Sequence, residues 1–125
     1  MGQPILFLVN DQGRVLDALA GDLARRFGVD YRILSERSPA AALATLAQLA
    51  AQSQEVALLI AAQPMREMPG VDFLVRAHEL QPTAKRVLLV GRRDWSSTNP
   101  AVRAMTLGQI DHYLFEPWLP LERWL

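Results

Sequence analysis

Three short apolar runs set the architecture of this chain, and the central one constrains it most. Val56–Ile60 (VALLI) is apolar without a break. It is far short of the ~20 residues needed to cross a bilayer, and it lacks the polar alternation of a strand with one wet face. A strand buried on both faces of a parallel sheet has this pattern. The run ends in Ala61-Ala62, and Gln-Pro-Met-Arg-Glu-Met-Pro-Gly follows as a loop that enters a helix near Gly70. In an open parallel sheet, the loops leaving the carboxyl ends of the strands carry the chemistry. Ala61–Pro69 is therefore the first place to look, yet it holds no Ser, Cys, His or Asp and a single carboxylate, Glu67.

The rest of the chain repeats the alternation. Pro4–Val9 (PILFLV) is read as the first strand, and Asn10-Asp11 offers N-cap side chains. Val15, Leu16, Leu19, Leu23 and Phe27 fall at helical spacing, and Gly28 is expected to stop that helix as a C′ glycine. Val29–Leu34 is half-alternating and suggests a second strand nearer an edge. Ser38-Pro39 reads as N-cap and N1 of an Ala/Leu-rich helix to Ala51. Val71, Leu74, Val75 and Leu80 predict a third helix ending near Pro82, and Arg86–Val90 a fourth strand. Gly91–Ser97 is a polar loop, and Asn99-Pro100 opens a fourth helix ending at Gly108. Asp111–Phe115 is a short fifth strand broken by Glu116-Pro117, and Pro120 opens a last helix cut off at Leu125. Such β-α alternation predicts an α/β fold, a doubly wound five-stranded parallel sheet in the flavodoxin-like order 2-1-3-4-5 with right-handed crossovers. The truncated apolar end (LPLERWL) suggests one domain, residues 1–125, cut from a longer protein.

Composition removes several function classes. Half the residues are hydrophobic, enough for a core without disulfides or metals. The 13 basic and 13 acidic residues balance, so there is no global electrostatic case for nucleic acid or an acidic membrane. No cysteine is present, which excludes a thiol nucleophile and a thiolate metal site. No basic region precedes Ile5–Val9, and Leu6 stands where myristoylation needs Ser or Thr. A soluble cytoplasmic domain is the expectation.

Four anchors, in order and on the expected elements, carry a resemblance. Leu8-Val9-Asn10-Asp11 looks like a strand ending in an acidic pair. Met65-x-x-Met68-x-Gly70 is similar to a Met-Pro-x-Met-x-Gly loop. Val87-Leu88-Leu89-Val90 matches a fourth strand, and Tyr113-Leu114-Phe115-Glu116-Pro117 looks like Tyr-Leu-x-Lys-Pro. Over nearly its whole length the chain resembles the receiver domain of two-component response regulators. That resemblance implies five functional groups: two acids holding Mg²⁺, a phosphoacceptor Asp, and a hydroxyl and a Lys stabilising the phosphoryl group. The matching positions here are Asn10 and Asp11, Ala62, Gly91 and Glu116. Of these, Asp11 alone keeps its type, and Asn10 offers only a carbonyl oxygen. Ala62 has no nucleophile and Gly91 no hydroxyl. Glu116 reverses the sign, which at ~4 Å and an effective dielectric of ~20 turns roughly −4 into +4 kcal/mol. The loop also departs from the pattern at Pro64 and Arg66, and the stretch from Gly108 to Pro117 is one residue longer than usual.

These positions are expected to form a degenerate phosphorylation pocket with no catalytic residue, no metal and no cofactor. Asp11 with Glu116 is a conceivable acid–base or metal pair, but a helix cap and an arginine-paired glutamate are the favoured readings. If the Glu116-Pro117 bond is cis, as the resemblance implies, Arg66 or Arg92 would be the counter-ion of Glu116. His78 and His112 lack metal spacing, Gly91-Arg92-Arg93 is read as a solvated loop, and Asn10-Asp11-Gln12-Gly13 is no phosphate loop. Trp95, Trp118 and Trp124 suit either burial or an interface. In receivers, the face of the fourth helix, fifth strand and fifth helix commonly mediates contacts, which here implies Arg103, Leu107, Tyr113, Trp118 and Trp124. The leading reading is a regulatory module that binds a protein partner or a fused output domain, with a homodimer also possible. The resemblance extends to modules ahead of flavoproteins similar to thioredoxin reductase. The alternatives are a receiver phosphorylated on Asp11 or another carboxylate, and a flavodoxin-like small-ligand domain.

Overall fold

In the computed structural model, residues 3–91 and 98–116 are described. The element order is β1 (Ile5–Val9), α1 (Gly13–Phe27), β2 (Arg32–Glu36), α2 (Pro39–Ala51), β3 (Val56–Ala62), α3 (Gly70–Leu80), β4 (Lys85–Gly91), α4 (Thr98–Thr106) and β5 (His112–Glu116). The five strands pair in parallel in the order β2-β1-β3-β4-β5, as the alternation predicts.

The unbroken apolar runs follow from cover on both faces. Ile5, Phe7 and Val9 of β1, Leu59 and Ala61 of β3, and Leu88 and Val90 of β4 join one core with α2, α3 and α4. Leu8, Ile60, Val87 and Leu89 turn to the other face, where Leu16, Leu19 and Leu23 of α1 cover them. On α3 the buried positions are Gly70, Phe73, Leu74 and Ala77, so its core stripe is centred elsewhere than the sequence suggested, and Val75 is exposed. Phe27, expected on the buried face of α1, is also exposed and packs edge-on against Tyr31.

Several boundaries move: β3 runs on to Ala62, β4 covers Lys85–Gly91, and β5 covers His112–Glu116, so Glu116 is the last residue of the strand rather than its breaker. The second strand is Arg32–Glu36 rather than Val29–Leu34, and Val29 is 88% exposed in the turn before it. Gly28 is the C-cap of α1 with φ −64, a right-handed conformation, not a left-handed C′ glycine. The helix is instead closed by the Asp30 and Tyr31 amides, which both donate to the Phe27 carbonyl. The left-handed terminator occurs after α4. Gly108 has φ +74, its amide donates to the Met105 carbonyl, and the Gln109 amide donates to the Ala104 carbonyl, which is the Schellman pattern. Ser53 plays the same part after α2 with φ 57. Ser38 caps α2 as expected, its Oγ accepting from the Ala41 amide at 3.2 Å with proline behind it. α4 begins at Thr98, so Asn99-Pro100 lies inside its first turn.

At the amino end of the sheet, Asp111 ties β5 to β4. Its Oδ2 accepts from the Arg86 amide at 2.8 Å and from Arg86 Nε at 3.4 Å. Burial pushes its carboxyl up, but the Arg86 hydrogen bonds and guanidinium, with Lys85, outweigh this and hold it below the usual value. A depressed carboxyl contributes stability above its unfolded pKa of about 4 and loses it as pH falls through the folded pKa. Asp111→Asn is expected to cost about 1–2 kcal/mol at neutral pH. Urea unfolding of both proteins from pH 7 to pH 3 should show that difference shrinking below about pH 4. A difference independent of pH would disprove the charged contact.

Candidate functional site

The carboxyl end of the sheet collects every residue that the sequence reading assigned to the expected phosphorylation pocket. Asn10 and Asp11 follow β1 directly, and Ala62, Gly91 and Glu116 are the last residues of β3, β4 and β5. Gly91 and Glu116 are register partners, and Ala62 pairs with Leu89. The side chain of Glu116 lies outside the described residues, as do the Glu116-Pro117 bond, Arg92, Trp95, Trp118 and Trp124.

Gly70 fixes the position of Ala62. A Cβ on Gly70 would lie 2.3 Å from the Ala62 carbonyl oxygen and 2.8 Å from the Leu88 Cδ1. The start of α3 therefore sits directly on the end of β3, and only glycine permits that approach. Gln63 holds the loop between them. Its carbonyl accepts from the Gly70 amide at 3.0 Å and its Oε1 accepts from the Val71 amide at 3.1 Å.

The two carboxylates here have partners that sequence spacing does not reveal. Asp11 does not cap α1, whose N-cap is Gln12 without a side-chain bond. Asp11 Oδ2 instead accepts from the Arg66 amide at 2.7 Å, across to the β3–α3 loop. The turn into α1 is made by Asn10, which is 3% exposed and whose Oδ1 accepts from the Gln12 amide at 2.9 Å. Glu67 accepts from Ser38 Oγ at 2.8 Å and from the Ala40 amide at 3.1 Å, so it is a second cap on α2. Favourable charge at a helix N-terminus supports the placement.

Asp11, Gln12, Pro64, Met65 and Arg66 line an open cleft of about 460 Å³. The Arg66 guanidinium is exposed at its rim and forms no ion pair among the described residues. Ala62 is buried in the core beneath the loop and does not line the cleft, and Asp11 offers the cleft a carboxylate with one oxygen committed to a backbone amide. Among the described residues no cluster of three or more His, Cys, Asp or Glu is placed to hold a metal. His78 is half-buried on α3 with its Nδ1 unbonded, and His112 is exposed on β5. Asp11 and Asn10 are too few oxygen donors for the octahedral shell of Mg²⁺. Calorimetry is expected to show affinity of roughly millimolar or weaker. Micromolar binding abolished by Asp11→Ala would overturn that expectation.

Arg103 on α4 and Leu107 in the turn that follows it are exposed, as the interface reading requires, and Leu107 is 62% exposed. Val102 and Met105 are exposed beside them and were not named by the sequence reading. Tyr113 is half-buried on β5 and packs edge-on against Phe115.

No family model matches the chain. The signal receiver domain of an HD domain-containing protein from Pseudomonas fluorescens Pf-5 is 30% identical, with a TM-score of 0.74 over 99% of this chain and 83% of that one. The hydrogenase transcriptional regulatory protein HoxA of Cupriavidus necator is 27% identical over 118 residues, 94% of this chain. The chain spans 22% of the length of HoxA. An adenylate cyclase structure from Rhodopirellula baltica shares the fold, with a TM-score of 0.73 at 22% identity over 93% of this chain and 78% of that one. The chain belongs to the receiver-domain family of response regulators. No helix among the described residues is long and apolar enough to cross a membrane.

Proposed function

We propose that this receiver domain is a degenerate one, a regulatory and protein-interaction module that works without aspartate phosphorylation. Ala62 carries the reading. It is the last residue of β3, where the receiver resemblance puts the phosphoacceptor, and a methyl group cannot attack phosphorus. The absence of a hydroxyl at Gly91 and the carboxylate type of Glu116 support it, since neither favours a phosphoryl anion. Incubation with Mg²⁺ and acetyl phosphate is expected to leave the intact mass unchanged. A stoichiometric gain of one phosphoryl group would overturn the proposal, and peptide mapping would then show whether Asp11 is the acceptor.

The output then depends on a contact rather than on a switch. The exposed apolar side chains of Val102, Met105 and Leu107 around Arg103 suit a protein surface. We assign to that face a partner protein or a fused output domain of a longer chain, with a second copy of this domain as the alternative. A flavoprotein similar to thioredoxin reductase is one output domain that the sequence resemblance suggests.

A further inference from the structure

The β3–α3 loop is fastened at two neighbouring residues to different parts of the chain. On one side Asp11, which follows β1, takes the Arg66 amide at 2.7 Å. On the other side the next residue, Glu67, reaches the first turn of α2 through Ser38 Oγ and the Ala40 amide. Adjacent residues are thus tied to two different elements, one to the entrance of α1 and one to the start of α2. The loop segment so held supplies Pro64, Met65 and Arg66 to the wall of the cleft.

From this arrangement we infer that the loop is a double-clasped strap whose two fastenings act as one unit, coupling the mouth of the cleft to the N-terminal turn of α2. The tied groups belong to neighbouring residues joined by one planar peptide unit, so a displacement of the backbone at Arg66 is carried to the Cα of Glu67. Loss of the Asp11 bond therefore frees the Glu67 side chain to leave α2, and loss of the Glu67 bonds lets Arg66 swing from Asp11. α2 has no acidic residue of its own in its first turn, and Glu67 brings a carboxylate to that terminus. A surface contact at α2 thereby senses the state of the cleft with no covalent event, and the inference stands whether or not the domain is phosphorylated.

Backbone amide hydrogen exchange, read residue by residue by NMR, tests the coupling. In Glu67→Ala, exchange at Ala40 is expected to rise about tenfold, the effect of one lost hydrogen bond of this kind. The coupling predicts that Arg66, which keeps its own acceptor, also rises by about threefold or more. Asp11→Ala should show the reciprocal pattern, with Ala40 responding at a distance. Asp11→Asn and Glu67→Gln keep an acceptor oxygen and should restore the remote amide. Ser38→Ala, which removes one strand of the clasp while α2 remains proline-started, should give a smaller response at Arg66. Changes confined to the amide whose own acceptor was removed, or Asn and Gln variants that behave like Ala, would overturn the inference.

Discussion

Gly70→Ala is expected to cost about 3 kcal/mol, near the upper end for overpacking a tight site. The added methyl would stand 2.3 Å from the Ala62 carbonyl oxygen and 2.8 Å from its carbon. Both are backbone atoms of a central strand, and a sheet hydrogen-bonded on both sides yields poorly. The same substitution elsewhere provides the control. Gly108 has φ +74 and open space around it, so alanine there meets only the left-handed penalty of about 1 kcal/mol. Gly21 lies inside α1 with only the far end of Arg25 within 3.6 Å, and alanine should stabilise by roughly 0.5–1 kcal/mol. Urea unfolding of the three variants should rank them in that order. Equal costs at Gly70 and Gly108 would mean that close approach to β3 is not what position 70 requires.

Gln81→Leu is expected to destabilise the domain by about 2–4 kcal/mol, although the volumes are similar and leucine is the more apolar residue. Gln81 is 5% exposed, at the end of α3. Its Oε1 accepts from the Val56 amide at 3.4 Å, and its Nε2 donates to the carbonyls of Gln54 and Leu46 at 3.4 and 3.5 Å. One amide thus serves the first residue of β3, the turn before it and the body of α2. Leucine would leave these backbone groups buried with fewer partners, which costs more than the lost bonds gained. Gln81→Glu gives a distinct signature, because only a protonated carboxyl can still donate. Its folded pKa is raised, so its stability is greatest below the unfolded value of about 4.3 and falls as pH rises through the folded one. A neutral Gln81→Leu in thermal unfolding would show that the long bonds at this site contribute nothing.

These cases separate what the sequence reveals from what it conceals. β1, β3 and β4 were legible because burial on both faces leaves continuous apolar runs, and no surface helix or loop mimics these. β2 was misplaced because it is an edge strand whose five residues are only partly buried, so Val29 and Tyr31 looked equally good as members. The apolar run alone ended β3 at Ile60, two residues short of Ala62, because the two small alanines carry no strand signal, whereas counting back eight residues from Gly70 singled out Ala62, with which Gly70 is in contact. The Asp11–Arg66 and Glu67–Ser38 bonds span 55 and 29 residues, and no local pattern encodes such pairs. Gln81 beside Pro82 read as an ordinary helix end, since its three partners come from two other elements. On α4, Val102 and Met105 have core chemistry, and only the packed sheet shows which face of that helix is covered.

The strand order carries a consequence for how the chain is made. β1 lies between β2 and β3, and its register partners are Arg32 to Glu36 on one side and Val56 to Ala61 on the other. As the chain emerges from the ribosome, β2 becomes available well before β3. β1 can close its first edge early, while its second stays open until the whole of α2 has been synthesised. That waiting edge is Ile-Leu-Phe-Leu-Val, with no charge and no proline, the composition most ready to pair with a stranger. The uncharged α2 that follows adds no gatekeeper. Translation through residues 39–61 is therefore the interval in which this domain depends most on a chaperone or on its own speed.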